Sequence, residues 1–165
     1  MFKPPRSAYV HIPFCHRRCF YCDFSVIPVG DKVNNFDGLE NEIIRDYLNI
    51  LKKEILSITH KVSLSTIYIG GGTPSILNPS QIGELIRIFK TNYGIDNGAE
   101  ITMEIDPASF QESDLYGFIN AGVNRFSLGA QSFNNKILKK AGRRHKSSDV
   151  KKSCNWLSKA KDKNI

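Results

Sequence analysis

The sequence has no long apolar run: no stretch approaches the roughly 18–20 consecutive apolar residues of a membrane-spanning helix. Residues 1–6 also lack the apolar segment of a secretory signal peptide. Internal repeats and low-complexity tracts are not evident either. We therefore expect a cytoplasmic protein. Its 165 residues, 41% of them hydrophobic, suffice for one ordinary domain with a core.

Acidic residues are scarce at the C-terminal end. Residues 136–165 carry 11 Lys and Arg against 2 Asp and Glu, and the other 135 residues carry 12 against 14. The formal charge of +7 thus belongs to one segment. Such a tract could contact nucleic acid. With Trp156 as its one aromatic residue, the tract is more typical of a solvated helix face, so we do not expect a nucleic-acid partner.

Cysteine is rare, but three of the four cysteines form a Cys-x3-Cys-x2-Cys cluster at Cys15, Cys19 and Cys22. Closed zinc and iron–sulfur sites take four ligands, so three thiolates are one short. A cubane iron–sulfur cluster held by three cysteines keeps one iron without a protein ligand, and that iron can bind a small molecule. The spacing therefore favours a redox-active cluster in a reducing compartment.

Two other interpretations of the cysteines stay open. A disulfide with a spare thiol would suit a secreted domain, which the missing signal peptide disfavours. A zinc knuckle would need a fourth ligand from His11, His16 or Cys154, and none of these completes a familiar zinc spacing. Arg17, Arg18 and Asp23 mark the segment as a loop, which argues against cysteines buried in the core.

The pattern along the chain predicts four successive strand–helix units. Strands are expected at 9–12, 65–69, 100–105 and 123–128, and a loop at 28–35. Helices are expected at 38–58, after the cap Asn78-Pro79-Ser80-Gln81, at 110–121 with Gly122 as the stop, at 134–140 and at 148–161. We therefore predict an α/β fold with a parallel sheet. Since eight units close a full barrel, four make half a barrel or an open sheet.

Unusual residues follow the predicted strands. Parallel sheets bind ligands at the carboxyl ends of their strands. The cysteines follow the first strand, a Gly70-Gly71-Gly72 run the second, and Glu104 ends the third. Three residues without Cβ allow close approach of a ligand to the backbone, although a turn would also explain them. Glu104 could accept hydrogen bonds from a ligand or form a salt bridge.

Together these residues resemble the radical S-adenosylmethionine enzymes. The set comprises Tyr-Val-His-Ile-Pro-Phe-Cys (9–15), Gly-Gly-Gly-Thr-Pro-Ser (70–75), Glu104, Arg-Phe-Ser-Leu-Gly-Ala-Gln-Ser-Phe (125–133) and Gly-Arg-Arg-His (142–145). It is similar to the oxygen-independent coproporphyrinogen III oxidase family and to the related radical S-adenosylmethionine heme chaperones. The resemblance spans nearly the whole chain.

The resemblance implies cofactors and roles. Cys15, Cys19 and Cys22 would ligate a 4Fe-4S cluster whose open iron chelates S-adenosylmethionine, and Tyr9, Gly71 and Glu104 would help to hold that molecule. A further set matches positions assigned to a second S-adenosylmethionine in the oxidase: Tyr21, Gly72, Thr73, Gln131 and Arg143. One electron from the cluster breaks a carbon–sulfur bond and yields a 5′-deoxyadenosyl radical. In the oxidase this radical abstracts hydrogen from substrate propionates, which then lose carbon dioxide.

One departure favours the chaperone. The oxidases usually have a further cysteine two residues after the third, where this chain has Cys22-Asp23-Phe24. The expected function is therefore heme transfer, with heme or porphyrin, an electron donor and a heme-accepting protein as partners. The alternative is an enzyme of the coproporphyrinogen dehydrogenase type, which decarboxylates propionates oxidatively.

The second departure is length, because family members are well over twice as long. We therefore expect residues 1–165 to be the N-terminal part of a radical S-adenosylmethionine core domain, with the later strands and the C-terminal domain missing. Such a half-barrel is expected to expose a strand edge and an apolar sheet face.

Overall fold

A four-stranded parallel sheet organises the chain, of which a computed structural model describes residues 4–30, 41–58 and 62–162. Its strands are β1 (Ser7–Ile12), β4 (Leu64–Gly71), β5 (Ile95–Ile105) and β6 (Arg125–Leu128), and they lie side by side in that order. Two short strands, β2 (Phe14–Cys15) and β3 (Ile27–Pro28), pair in parallel as a separate ribbon. The structure thus confirms the predicted α/β class with parallel strands.

Five helices accompany the strands within the described residues, and the last two follow β6. They are α1 (Glu42–Ser57), α2 (Pro79–Asn92), α3 (Glu112–Ala121), α4 (Asn135–Lys140) and α5 (Ser147–Asp162), with a 3-10 turn at Pro74–Ile76. The predicted cap of α2 is confirmed: Asn78 accepts from the Gln81 backbone, and the Gln81 side chain accepts from the Asn78 backbone. The predicted stop of α3 is also confirmed, because Gly122 has the left-handed φ of 113°.

Several predicted boundaries were wrong. β5 begins at Ile95, five residues earlier than predicted, because Gly98 at φ 86° interrupts the alternation that marks a strand. α3 begins at Glu112, since Phe110 is buried in the core ahead of the helix. β6 begins at Arg125 instead of 123. Pro28 of the predicted loop lies in β3, while residues 31–35 of that loop and 38–40 of the first predicted helix lie outside the described residues.

The core lies between the sheet and the helices. The helices α1, α2, α3 and α5 form one layer on one face, where each contacts the next. Alternate strand residues point into this layer, among them Val10, Ile12, Ile67, Ile69, Ile101, Met103 and Ile105. The aliphatic residues of α2 and α3 meet them, and Phe110 packs edge-on against Trp156 of α5. None of the described helices is long and apolar enough to cross a membrane.

The opposite face of the sheet, which we call the inner face, is polar and aromatic. It carries the alternate residues Tyr9, His11, Tyr68, Thr102, Glu104, Arg125 and Ser127. No described helix covers it. The prediction of an exposed apolar sheet face was therefore wrong, because the strands segregate their apolar residues to the helical side. The predicted open edge is present at β6, which pairs only with β5 among the described strands.

Candidate functional site

A cavity of about 640 Å³ lies at the carboxyl ends of the strands. Ten of the eleven predicted site residues line it: Cys15, Cys19, Tyr21, Cys22, Gly71, Gly72, Thr73, Glu104, Gln131 and Arg143. They come from five separate segments of the chain; four of these lie at strand ends, as predicted, and Arg143 follows α4. Gln131 has a left-handed backbone with φ 61°, which is uncommon outside glycine.

The segment 15–24, which we call the cysteine loop, is held at its start by two backbone hydrogen bonds. The Val29 amide donates to the Cys15 carbonyl at 2.9 Å, and the Gly30 amide donates to the His16 carbonyl at 3.1 Å. Within the loop, the Cys22 amide donates to the Cys19 carbonyl at 3.1 Å, which forms a tight turn between two of the thiols. The β2–β3 ribbon therefore presents the three cysteines together at one wall of the cavity.

All three thiols are free and half-buried. The Thr73 hydroxyl donates to the Cys15 sulfur at 3.3 Å. Burial raises the pKa of the Cys15 thiol above its ordinary value; the Thr73 hydrogen bond opposes this, while Cys22 and Cys19 add to it. Thiols bind metals as thiolates, so a cationic cluster would relieve the mutual repulsion of the three groups.

Gly72 brings the glycine run against the cysteine loop. A Cβ at this position would lie 2.7 Å from the Phe14 carbonyl oxygen and 2.9 Å from the Cys15 sulfur. Such distances are sterically forbidden, so only glycine fits without movement of the loop. The Gly72 amide also donates to the Ile12 carbonyl at 2.8 Å, which ties the run to β1.

The arrangement of the donors favours a cluster over a single ion. Among the described residues, no three His, Cys, Asp or Glu side chains are placed to hold one metal ion. Cys154 is exposed on α5, outside the cavity lining. His16 Nδ1 is hydrogen-bonded to the Gly30 carbonyl oxygen. A cubane binds three thiolates at three different irons, whereas zinc needs four donors around one centre.

Glu104 lies at the end of β5 with both carboxylate oxygens oriented by the protein. Tyr68 donates its hydroxyl to Oε1 at 2.7 Å, and the Gly71 amide donates to Oε2 at 3.2 Å. The hydrogen bond to Glu104 is the main cause that raises the pKa of Tyr68 above its ordinary value. A carboxylate has about four acceptor positions, so Glu104 keeps capacity for donors of a ligand in the cavity.

Tyr9 is the predicted site residue that does not line the cavity. Its ring stacks on Tyr68 with a centroid separation of 6.1 Å, and its hydroxyl lies 3.0 Å from His11 Nδ1. A Cβ at Gly70 would lie 2.8 Å from the Tyr68 ring and 3.2 Å from the Tyr9 ring, so the glycine leaves room for this stack. Tyr9 thus reaches Glu104 through Tyr68.

Sequence reasoning gave no role to Asp106, which lines the cavity and forms an ion pair with Arg143. Burial acts to raise the pKa of Asp106, but the nearby His145 ring and the Arg143 charge outweigh it and hold the pKa below its ordinary value. Asp106 therefore carries a negative charge beside the cysteine loop. Its place at a strand end, directly before Pro107, was the signal available in the sequence.

Ser75 was also missed, although it belongs to the Gly-Gly-Gly-Thr-Pro-Ser motif. Its buried Oγ accepts from the Asp106 amide at 2.9 Å and is hydrogen-bonded to Ser109 Oγ. The Ser109 hydroxyl donates in turn to the Asp106 carbonyl at 2.9 Å. The last residue of the motif therefore fixes the turn that aims Asp106 at the cavity.

Comparison with known proteins gives one family and a consistent group of relatives. The model of the radical SAM superfamily matches residues 9–164. The heme chaperone HemW of Synechocystis sp. is 38% identical over 156 residues, covering 94% of this chain and 37% of that protein. HemW of Buchnera aphidicola subsp. Schizaphis graminum is 42% identical over 144 residues, covering 87% of this chain and 37% of that protein.

A solved structure has the same fold. The coproporphyrinogen III oxidase HemN from Escherichia coli superposes with a TM-score of 0.82 at 29% identity, over 93% of this chain and 34% of that one. The chain therefore spans well under half the length of the relatives that it matches.

Proposed function

The chain belongs to the radical SAM superfamily, and from this premise we propose that it holds a 4Fe-4S cluster and S-adenosylmethionine in the cavity at the strand ends. Cys15, Cys19 and Cys22 would ligate the cluster. Gly71 and Glu104 would hold S-adenosylmethionine, with Tyr9 acting through Tyr68.

One observation carries this proposal: the cysteine loop and the Glu104–Gly71 pair line the same cavity. The thiols have no disulfide partner, and Gly72 leaves space against the Cys15 sulfur that any side chain would fill. A ligand bound to an open iron would therefore lie next to a carboxylate that is already oriented by Tyr68 and Gly71.

The bound cluster would supply one electron to the sulfonium of S-adenosylmethionine and so cleave a carbon–sulfur bond. The chain's own residues would bind and orient. Glu104 would accept hydrogen bonds from the hydroxyl or amino groups of S-adenosylmethionine. Gly71 would let that molecule approach the backbone, and the position admits only glycine, because a Cβ there would lie 2.9 Å from the His11 ring.

We further propose that the protein transfers heme. This rests on the relatives at 38% and 42% identity, both named heme chaperones, and on Cys22-Asp23-Phe24 in place of a Cys-x-Cys ending. Asp23 and Phe24 both line the cavity and are exposed, so the position that distinguishes the two branches faces the site. Heme or a porphyrin, an electron donor and a heme-accepting protein are the proposed partners.

The alternative function is oxidative decarboxylation of coproporphyrinogen. The structural likeness to an oxidase and the placement of Tyr21, Gly72, Thr73, Gln131 and Arg143 along the cavity favour it. In both cases we propose that residues 1–165 form the N-terminal part of the core domain. Three free thiols for an iron–sulfur cluster also suit the reducing cytoplasm.

The experiment is an anaerobic comparison of two activities on the iron-reconstituted chain. We expect heme to bind in an absorbance titration, with no carbon dioxide released from coproporphyrinogen in the presence of S-adenosylmethionine and dithionite. Carbon dioxide release would establish the oxidase alternative. A salt-dependent DNA-binding assay serves as the control for the basic C-terminal segment, and we expect it to be negative.

A further inference from the structure

Arg143 is fixed to the cysteine loop by the way α4 ends. Gly142, at φ 76°, and Arg143 close the helix with two backbone hydrogen bonds, from the Gly142 amide to Lys139 and from the Arg143 amide to Leu138. This pattern is a Schellman motif. The Phe20 amide donates to the Ala141 carbonyl at 3.1 Å, and a Cβ on Gly142 would lie 3.2 Å from the Phe20 ring. The end of α4 and the cysteine loop therefore form one unit.

The Arg143 guanidinium reaches across this unit to a predicted cluster ligand. Nη1 donates to the Cys19 sulfur at 3.6 Å and to the Tyr21 hydroxyl at 3.3 Å. Nη2 donates to Asp106 and, at 3.1 Å, to the Gly129 carbonyl. The Arg143 side chain is only 11% exposed. The two terminal nitrogens of the guanidinium thus have partners within the protein, whereas Nε is buried without one.

His145 also contacts the Arg143 guanidinium. It is fully buried, and its Nε2 donates to the Ala130 carbonyl oxygen at 3.0 Å. Its Nδ1 lies 3.3 Å from Arg143 Nη2 and 3.8 Å from Asp106 Oδ2. Asp106 and His145 together therefore orient the guanidinium so that its other nitrogen faces Cys19.

We propose that Arg143 is a positioning residue that orders the cysteine loop and raises the reduction potential of the cluster through Cys19. The inference rests on the proposed function. Net charge and hydrogen bonds to cysteine sulfur set cluster potentials, and a cation stabilises the more negative reduced state. Because the terminal nitrogens of the guanidinium bind Asp106, Gly129 and Cys19, its charge is held beside the cluster ligand Cys19.

The test compares cluster potentials by redox titration with electron paramagnetic resonance. Arg143→Met should lower the reduction equilibrium constant about tenfold, which is about 59 mV for a one-electron couple. Asp106→Asn removes the negative charge and leaves the cation, so its potential should shift in the opposite direction. Arg143→Lys should recover part of the loss. Lys139→Met removes an exposed positive charge of α4 outside the cavity and should leave the potential unchanged.

Shifts of the same sign in Arg143→Met and Asp106→Asn would mark a structural role and overturn the proposal. An unchanged potential in Arg143→Met, with fewer molecules of S-adenosylmethionine bound, would assign Arg143 to ligand binding instead. Amide hydrogen exchange in the metal-free chain gives a readout that does not need the cluster. Arg143→Met should speed exchange of the cysteine loop at least tenfold relative to Lys139→Met, and equal rates would refute the positioning role. Absence of cluster absorbance in the unsubstituted chain would instead count against the proposed function.

Discussion

The Tyr68 hydroxyl donates to Oε1 of Glu104 at 2.7 Å, and so links neighbouring strands β4 and β5 on the inner face. The Gly71 amide occupies the other carboxylate oxygen at 3.2 Å. Glu104 is thus oriented before any ligand arrives, with capacity left for donors in the cavity. Preorganisation of this kind lowers the cost of ordering a binding site.

Glu104→Gln should weaken S-adenosylmethionine binding about 10- to 100-fold and leave cluster assembly intact. The substitution removes a charged acceptor, and hydrogen bonds to charged groups contribute roughly 1.5–3 kcal/mol. Equilibrium dialysis of the reconstituted chain and iron analysis measure the two quantities separately. Glu54→Gln, on an exposed position of α1, is the matched control. Equal loss of binding and iron would mark Glu104 as structural.

Serine substitution of Cys15, Cys19 or Cys22 should each abolish the cluster, whereas Cys154→Ser should keep it. The unsubstituted chain should take up about four irons, as a cubane does, with brown charge-transfer absorbance after anaerobic reconstitution. Cys154 is exposed on α5 and serves as the matched control. Stoichiometric zinc without that absorbance would revive the zinc knuckle.

Gly72→Ala should lower iron uptake, since its methyl group would lie 2.9 Å from the Cys15 sulfur and 2.7 Å from a backbone oxygen. Gly83→Ala, within α2, is the control, because its methyl group would lie 3.5 Å from Ala121 of α3, an ordinary van der Waals distance. Replacing a helical glycine should stabilise the fold by up to about 1 kcal/mol. Iron analysis of both variants checks the predicted loss of iron uptake, and urea unfolding checks the predicted gain in stability. Normal iron uptake in Gly72→Ala would show that the loop can move.

The location of the site could be predicted from the sequence, because strand order alone brings 15–24, 70–73, 104 and 129–131 to one end of a parallel sheet. The contacts that orient the site residues could not be predicted from the sequence. In the sequence, Tyr68 is an ordinary aromatic residue of a strand. Its hydrogen bond to Glu104, 36 positions later, depends on the register between β4 and β5. Asp106 meets Arg143 and His145 only after the chain has passed through α3, β6 and α4.

The polarity of the two sheet faces could also have been predicted from the sequence. Each strand contains both apolar and polar residues, and the alternation was visible in Glu100-Ile101-Thr102-Met103-Glu104-Ile105. The expectation of an apolar uncovered face overlooked that alternation. Its odd-numbered members join the core, and Glu104 lies on the inner face. Such a face suits polar ligands better than non-specific aggregation.

Self-association is expected through the open edge of β6. Backbone donors and acceptors on that side lack a partner strand among the described residues, and unpaired edges invite pairing. Sedimentation velocity over a range of concentrations should show a dimer or larger species, together with weak S-adenosylmethionine binding and a low melting temperature. A compact monomer with a cooperative thermal transition would contradict this.

Acid should abolish the contribution of the Asp106–Arg143 ion pair to stability. The pKa of Asp106 is lower in the folded chain than its ordinary value, so the carboxylate stabilises the fold above that ordinary value, near pH 4. This contribution falls as the pH drops through the lower, folded pKa. At pH 7, Asp106→Asn should cost about 1–3 kcal/mol, since it leaves a largely buried guanidinium without its carboxylate.

Urea unfolding of the metal-free chain at pH 7 and pH 3 measures the effect. The difference in unfolding free energy between the unsubstituted chain and Asp106→Asn should be smaller at pH 3 than at pH 7. Glu84→Gln is the control, because its pair with Lys52 is more exposed and should contribute less than about 1 kcal/mol at either pH. A difference between Asp106→Asn and the unsubstituted chain that persists unchanged at pH 3 would contradict the assignment. The lost stabilisation would then come from contacts of the Asp106 side chain that do not depend on its charge and that asparagine does not keep.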